Sequence, residues 1–171
     1  MTSPSVAGTR ILAIDPTPKG LGFVVFEERR GLIYWGVRNA REHSESLRLF
    51  RRLVDRYEPE IVVLGDYRAW DARRPARVRE LMKRIARVAA TRDIETRMIS
   101  PAAQEAAFAE VGASTKQQVA MALVRRFPEL ADALPPVRRL WMSEDYKMAI
   151  FDAAALGVAF FHAAQDDAPA A

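Results

Sequence analysis

Four acidic side chains stand where acids are energetically expensive. Asp15 ends the apolar run ILAID (11–15), and Asp66 ends IVVLGD (61–66). Asp152 lies inside MAIFDAAALGVAFF, as the only charge between Lys147 and His162. Asp145 precedes Asp152 by seven residues, two helical turns, a spacing that puts both on one helix face. Charged groups are rarely buried unless they are paired or bound to metal, and an unpaired carboxylate takes up a proton instead. If Asp15 and Asp66 leave central strands at one end of a sheet, a C-terminal helix crossing that end brings Asp152 to them. Clustered carboxylates repel one another unless divalent cations hold them. Mg²⁺ takes oxygen ligands and keeps several waters. Two such ions about 3.5–4 Å apart activate a water and stabilise the leaving oxygen of a phosphodiester. Each acid also has a structural reading. Asp15 before Pro16 starts a turn, Asp66 caps the segment after it, Asp152 pairs with an arginine, and Asp145 is a favourable first-turn charge.

The elements that must position these acids are legible in outline. Three apolar runs, 11–15, 21–28 and 32–38, are separated by the short turns PTPKG and RRG and read as an antiparallel meander. Leu47, Phe50, Leu53, Val54 and Tyr57 recur at helical spacing, and Pro59 closes that helix. The run at 61–66 is nearly all apolar, as expected of a strand covered on both faces. A helix from about Pro75 carries Val78, Leu81, Met82, Ile85 and Val88 as its apolar stripe, and TRMIS (96–100) is a fifth strand. Helices over 102–110 and 115–127 follow, then a loop with Pro135 and Pro136. Ser143 reads as the N-cap of a last helix, with Glu144 and Asp145 in its first turn, running to about His162. The order βββ-α-β-α-β-α-α-α implies an α/β fold. Its sheet is mixed and five-stranded, with strands one to three antiparallel and strands four and five parallel to the first. Residues 1–9 read as a flexible lead-in, 10–163 as one domain, and 164–171 as a disordered tail.

Composition narrows the chemistry. The chain has 171 residues, half of them hydrophobic, enough for one domain with a real core. It has no cysteine, which excludes a disulfide scaffold, a zinc–thiolate site and a cysteine nucleophile. The two histidines, His43 and His162, lie far apart. There is no unbroken run of about twenty apolar residues and no signal-peptide pattern at the N-terminus, so a soluble cytoplasmic protein with no membrane partner is expected. The net charge of +4 is unevenly spread: residues 67–92 sum to +7 and the remainder to −3. Such a cluster is the electrostatic footprint of a polyanion, or else a solvated helix face.

ILAIDPTPKGLGFVVFEE, with Asp15, Pro16, Lys19, Gly22 and Glu27 in place without a gap, resembles the opening of RuvC-type Holliday-junction resolvases of the RNase H-like superfamily. GASTKQQVAMALVRRF resembles a later segment of that family through Gly112, Lys116 and Val119, and DAAALGVAFFH resembles its Ala-rich final helix. The resemblance covers roughly residues 10–163 and implies an RNase H-like nuclease domain. It implies that Asp15 is the metal ligand shared by two Mg²⁺ ions, with Mn²⁺ as a substitute, and that Lys116 lies near the scissile phosphate. The family's second acid, more often Glu, aligns with Gly65, so Asp66 serves only if the strand ends or bulges there. The two acids of its last helix align with Phe151 and Ala154. Asp152 falls between them, and Asp145 or Glu144 is left as the peripheral acid. A second family lysine falls near Gln104 or Glu105 and is absent.

The expected function is metal-dependent cleavage of branched DNA, four-way junctions included. Asp15, Asp66, Asp152, Asp145 and Lys116 would form the catalytic set. Arg68, Arg73, Arg74, Arg77, Lys19 and Lys116 would hold phosphates, and Tyr67 and Trp70 would stack on an unpaired base or else pack. Two symmetric cuts imply a homodimer, with the stripe of helix 75–91 as an interface unless it packs on the sheet. The alternatives are a non-catalytic binding module for branched DNA on the same fold and a YqgF-like nuclease acting on RNA.

Overall fold

The computed structural model describes residues 8–29, 31–69 and 74–166. Its centre is one five-stranded sheet in the order β3-β2-β1-β4-β5. The strands are β1 (Arg10–Thr17), β2 (Gly20–Glu27), β3 (Gly31–Asn39), β4 (Ile61–Gly65) and β5 (Glu95–Ile99). The first three form the antiparallel meander, and β4 and β5 run parallel to β1. This is the mixed sheet that the sequence pattern implies, and β1 is central because it is the strand that pairs in both senses.

Five helices cover the sheet: α1 (His43–Tyr57), α2 (Ala76–Ala90), α3 (Pro101–Ala109), α4 (Lys116–Arg126) and α5 (Met148–Asp166). The amphipathic α1 and α2 cover one face. Leu47, Phe50, Leu53, Val78, Leu81, Met82 and Ile85 pack there on Leu12, Ile14, Val62 and Leu64. The other face, with Ile11, Ala13, Val24, Phe26, Ile61 and Val63, lies under α5. α3 and α4 pack against the far side of α5. Alternation along the strands separates the two cores.

α5 differs from the other helices because it is buried almost all round, as the middle layer of three. It is long and apolar enough to cross a bilayer by length and composition, yet most of it lies inside the protein. Glycines let it lie close to the sheet. A Cβ on Gly22 would stand 2.3 Å from the Ala149 carbonyl oxygen, and one on Gly157 would stand 2.2 Å from the Phe26 ring.

Several boundaries differ from the sequence reading. α5 begins at Met148, so Ser143 is not its N-cap and Asp145 does not share a helix face with Asp152. Asp145 caps the helix from outside, its Oδ1 accepting the Lys147 N–H at 2.9 Å. At the other end α5 continues to Asp166, so 164–166 are helix rather than tail. Thr9, expected to be loose, is buried. A 3-10 helix over Pro128–Ala133, with Leu130 buried, fills what reads in sequence as a loop. The stripe of α2 packs on the sheet, which removes it as an exposed dimer face.

Gly22→Ala should destabilise the protein by about 1–3 kcal/mol, the usual penalty for overpacking, because the new methyl meets backbone that cannot yield. Gly36→Ala should cost less, since its Cβ would meet only the Phe23 ring edge at 3.0 Å. Urea denaturation midpoints of the two variants check the ranking.

Candidate active site

Asp15 shares its strand face with Ile11 and Ala13, the face under α5. It pairs with Gly22 of β2, while the pairing of β1 with β4 ends two residues earlier, at Ala13 and Val63. The carboxylate therefore stands just beyond the closed part of the sheet. It is 3 % exposed, and Arg74 Nη2 donates to its Oδ1 at 2.7 Å. Arg74 Nη1 donates to the Pro16 carbonyl at 3.1 Å, so one guanidinium clamps the strand end. Because Gly22 has no side chain, the first turn of α5 reaches this place and brings Asp152 with it.

Lys116 arrives from the third direction. Thr115 and Gln118 form a capping box that starts α4 at Lys116. Its ammonium donates to Glu144 Oε1 at 2.6 Å and to Asp152 Oδ2 at 2.9 Å. Burial alone would lower the Lys116 pKa, but the charges and hydrogen bonds of Asp152 and Glu144 outweigh it and raise it. Asp152 is pushed up to about 7, first by burial and then by the charge of Asp15, against the pull of Lys116. Asp15, Lys19, Arg74, Lys116, Glu144, Asp145 and Asp152 all line one open cavity of about 650 Å³.

The other expected residues are not gathered there. Asp66 follows β4 on the parity of Val62 and Leu64, the α1–α2 face, and does not line the cavity. Its Oδ1 accepts the Arg68 N–H at 3.0 Å, the capping role that was its structural reading. Gly65 holds the position on the cavity side of the strand. Arg68 turns to Asp66, Arg74 to Asp15 and Arg77 to the Arg41 carbonyl, so these phosphate candidates have acceptors within the protein. Tyr67 packs against the core with Lys83 over its ring. Trp70 and Arg73 lie outside the described residues. Among the described residues no three Asp, Glu or His side chains stand together to hold a metal, so the three-carboxylate site does not assemble.

Asp15 and Asp152 still fit a hard cation by chemistry. They are two oxygen donors on one open cavity, and Mg²⁺ is commonly held by one or two carboxylates with water and substrate phosphate completing its shell. The sequence reading missed the pairing of Arg74 with Asp15, because an arginine in a basic run carries no mark of its partner. It also missed the apolar loop before α5, where Val137, Leu140 and Trp141 are exposed and Arg139 stands over the Trp141 ring. The apolar triplet LWM beside two arginines was the available signal.

The raised Asp152 pKa makes a stability prediction. The folded protein holds a proton there that the unfolded chain releases near its ordinary value of 3.8, so this group's contribution falls as pH rises from about 4 to about 7. In chelator, Asp152→Asn should therefore stabilise the protein at pH 8, by on the order of 2–4 kcal/mol, and leave it nearly unchanged at pH 4. Thermal melts of both proteins across that range measure the difference.

Compared by sequence, the chain matches no protein-family model and no curated protein. Compared by structure, it is similar to Thermus thermophilus RuvC at TM-score 0.63 and 20 % identity, over 92 % of this chain and 97 % of that one. It is similar to T. thermophilus RuvC in complex with Holliday junction substrate at TM-score 0.63 and 18 % identity, over 93 % and 96 %. The yeast mitochondrial Holliday junction resolvase Ydc2 aligns at TM-score 0.60 and 18 % identity, over 92 % and 80 %. With three antiparallel strands, two parallel ones and flanking helices, the chain has the RNase H-like fold of these RuvC neighbours.

Proposed function

We propose that this chain is a Mg²⁺-dependent nuclease that cuts phosphodiesters in branched DNA, four-way junctions included, and that it works as a homodimer. The observation that carries this reading is the pair Asp15 and Asp152, joined with Lys116 on one open cavity at the end of the central strand. The fold supports it, since the similar proteins are resolvases and one of them is described with a junction substrate. Asp15 and Asp152 would hold the ion, which supplies Lewis-acid activation of a water and of the leaving oxygen. Lys116 offers a phosphate a compact positive charge, kept protonated by Glu144 and Asp152. Arg74 fixes the Asp15 carboxylate against the Pro16 backbone and adds a guanidinium to the cavity wall that Lys116 also lines. Two cuts on symmetric strands need two such cavities, which is the reason for the dimer.

A second reading has its own observation. Asp15 is already paired with Arg74, and Asp152 and Glu144 share the single charge of Lys116. A protein that only binds branched DNA has no need of free carboxylates and would look the same.

A labelled four-way junction separates the two. The nuclease reading expects Mg²⁺-dependent incision that falls at least about 100-fold in Asp15→Asn and in Asp152→Asn, with junction binding retained. Incision that survives Asp15→Asn overturns the mechanism. Tight binding without incision in Mg²⁺ or Mn²⁺ establishes the binding module. Size-exclusion chromatography with light scattering tests the dimer, and a monomer at the active concentration refutes it.

A further inference from the structure

Among the described residues, most arginines of the basic segment already have acceptors within the protein, Arg87 excepted. Arg68, Arg74, Arg77, Arg79, Arg84 and Arg92 each donate to a carboxylate or carbonyl of the protein itself. The opposite holds on the outer side of α1. Arg38 from β3 and Arg52 and Arg56 from α1 line a groove of about 820 Å³ whose lining contains no acid. Among the described residues none of these three guanidiniums has a hydrogen-bond or ion-pair partner, and Arg56 stands only over the Tyr57 ring, at 5.6 Å. Arg48, Arg52 and Arg56 repeat every fourth residue, about 6 Å apart along one side of the helix. The floor is aromatic: Tyr34 and Tyr57 stack at 5.5 Å with 22° between their planes.

We propose that this groove between β3 and α1 binds the phosphodiester backbone of DNA, as a second contact surface beside the cavity of Asp15. Planar guanidiniums match phosphate in shape and charge, and the exposed edge of Tyr34 offers a surface to sugars and bases. The location favours the substrate's own strand over another anion. Arg38 lies between Val37 and Asn39, two residues that line the candidate cleavage cavity, and alternation along β3 turns Arg38 to the opposite face. β3 is the edge strand, so a DNA backbone leaving the cavity reaches the groove by passing round that edge. The inference rests on the branched-DNA reading and supplies it with a phosphate-binding face away from α2, where most arginines are already paired.

The salt dependence of binding tests it without requiring cleavage. The dissociation constants of a four-way junction and of a linear duplex are measured between 50 and 200 mM salt for wild type, for Arg38→Gln/Arg52→Gln/Arg56→Gln and for Arg84→Gln/Arg87→Gln. Each phosphate contact contributes about 0.9 to the slope of log K against log salt. The groove variant should weaken junction binding at least roughly tenfold and lower the slope by about 2–3, with an unchanged melting temperature. The α2 variant should lower it by less than about 1. Equal slopes for wild type and the groove variant overturn the proposal, as does a larger loss in the α2 variant or no wild-type binding to either probe. Incision of the junction by wild type is scored separately. A protein that binds through the groove but does not cut leaves this inference standing while the nuclease reading fails.

Discussion

Asp15 and Asp152 are held on one side of a single sheet, close enough that the charge of Asp15 adds to burial in raising the Asp152 pKa. Everything around the cavity can be read as an answer to that repulsion. Arg74 sits on Asp15, and Lys116 sits between Asp152 and Glu144. Lys116 does not offset the cost of Asp152 in full, because burial and the charge of Asp15 together still push that carboxyl up to about 7. Buried ion pairs contribute little net stability once desolvation is counted, so this arrangement is poorly explained as a stabilising device. It is better explained as a site kept electrostatically under-compensated, which is how sites that take up a cation or a proton are built.

The close approach depends on packing far more than on polar contacts. Strands β1 and β2 present Gly22 where α5 begins, and α5 offers mostly Ala, Gly and Phe to the sheet. Small residues let the helix axis lie near the strands, and the phenylalanines fill the space to either side. The T-shaped contacts of Phe26 with Phe127 and Phe161 tie α4, α5 and β2 into one core. Asp152 is thus placed by the hydrophobic effect, which accounts for the tolerance of a costly carboxylate at this depth.

Much of this was legible before any coordinates. Alternation, turn residues and helical spacing located the five strands and all five helices to within a few residues, because each is amphipathic or continuously apolar in a way that its layer demands. Asp15 and Asp152 were legible for a related reason, since each interrupts an apolar pattern, whereas Lys116 was legible only through the resemblance of its segment to the resolvases. What failed was side-chain direction at the ends of elements. Asp66 is one residue past β4, and one residue in a strand is a change of face. The start of α5 was misplaced because Ser143-Glu144-Asp145 carries capping chemistry at three successive positions, whereas the helix begins at Met148 with Asp145 Oδ1 accepting the Lys147 N–H ahead of it.

The charge arithmetic failed in a more instructive way. A sum over sequence counts every arginine equally, whereas the field outside the protein depends on which ones lack an internal partner. In residues 67–92 the run of bases lies beside acceptors drawn from distant parts of the chain: Asp15, Asp55 and the Arg41 carbonyl. Those arginines tie α2 and the segment before it to the rest of the fold, and much of their charge is spent locally. Arg52 and Arg56 lie in a short basic window of their own, +3 over residues 48–56, while Arg38 stands apart from it in sequence. The pairing of β3 beside α1 gathers them on one groove. For a polyanion partner the relevant quantity is this spatially gathered, unpaired charge, since only it can replace the counterions that phosphate would otherwise keep.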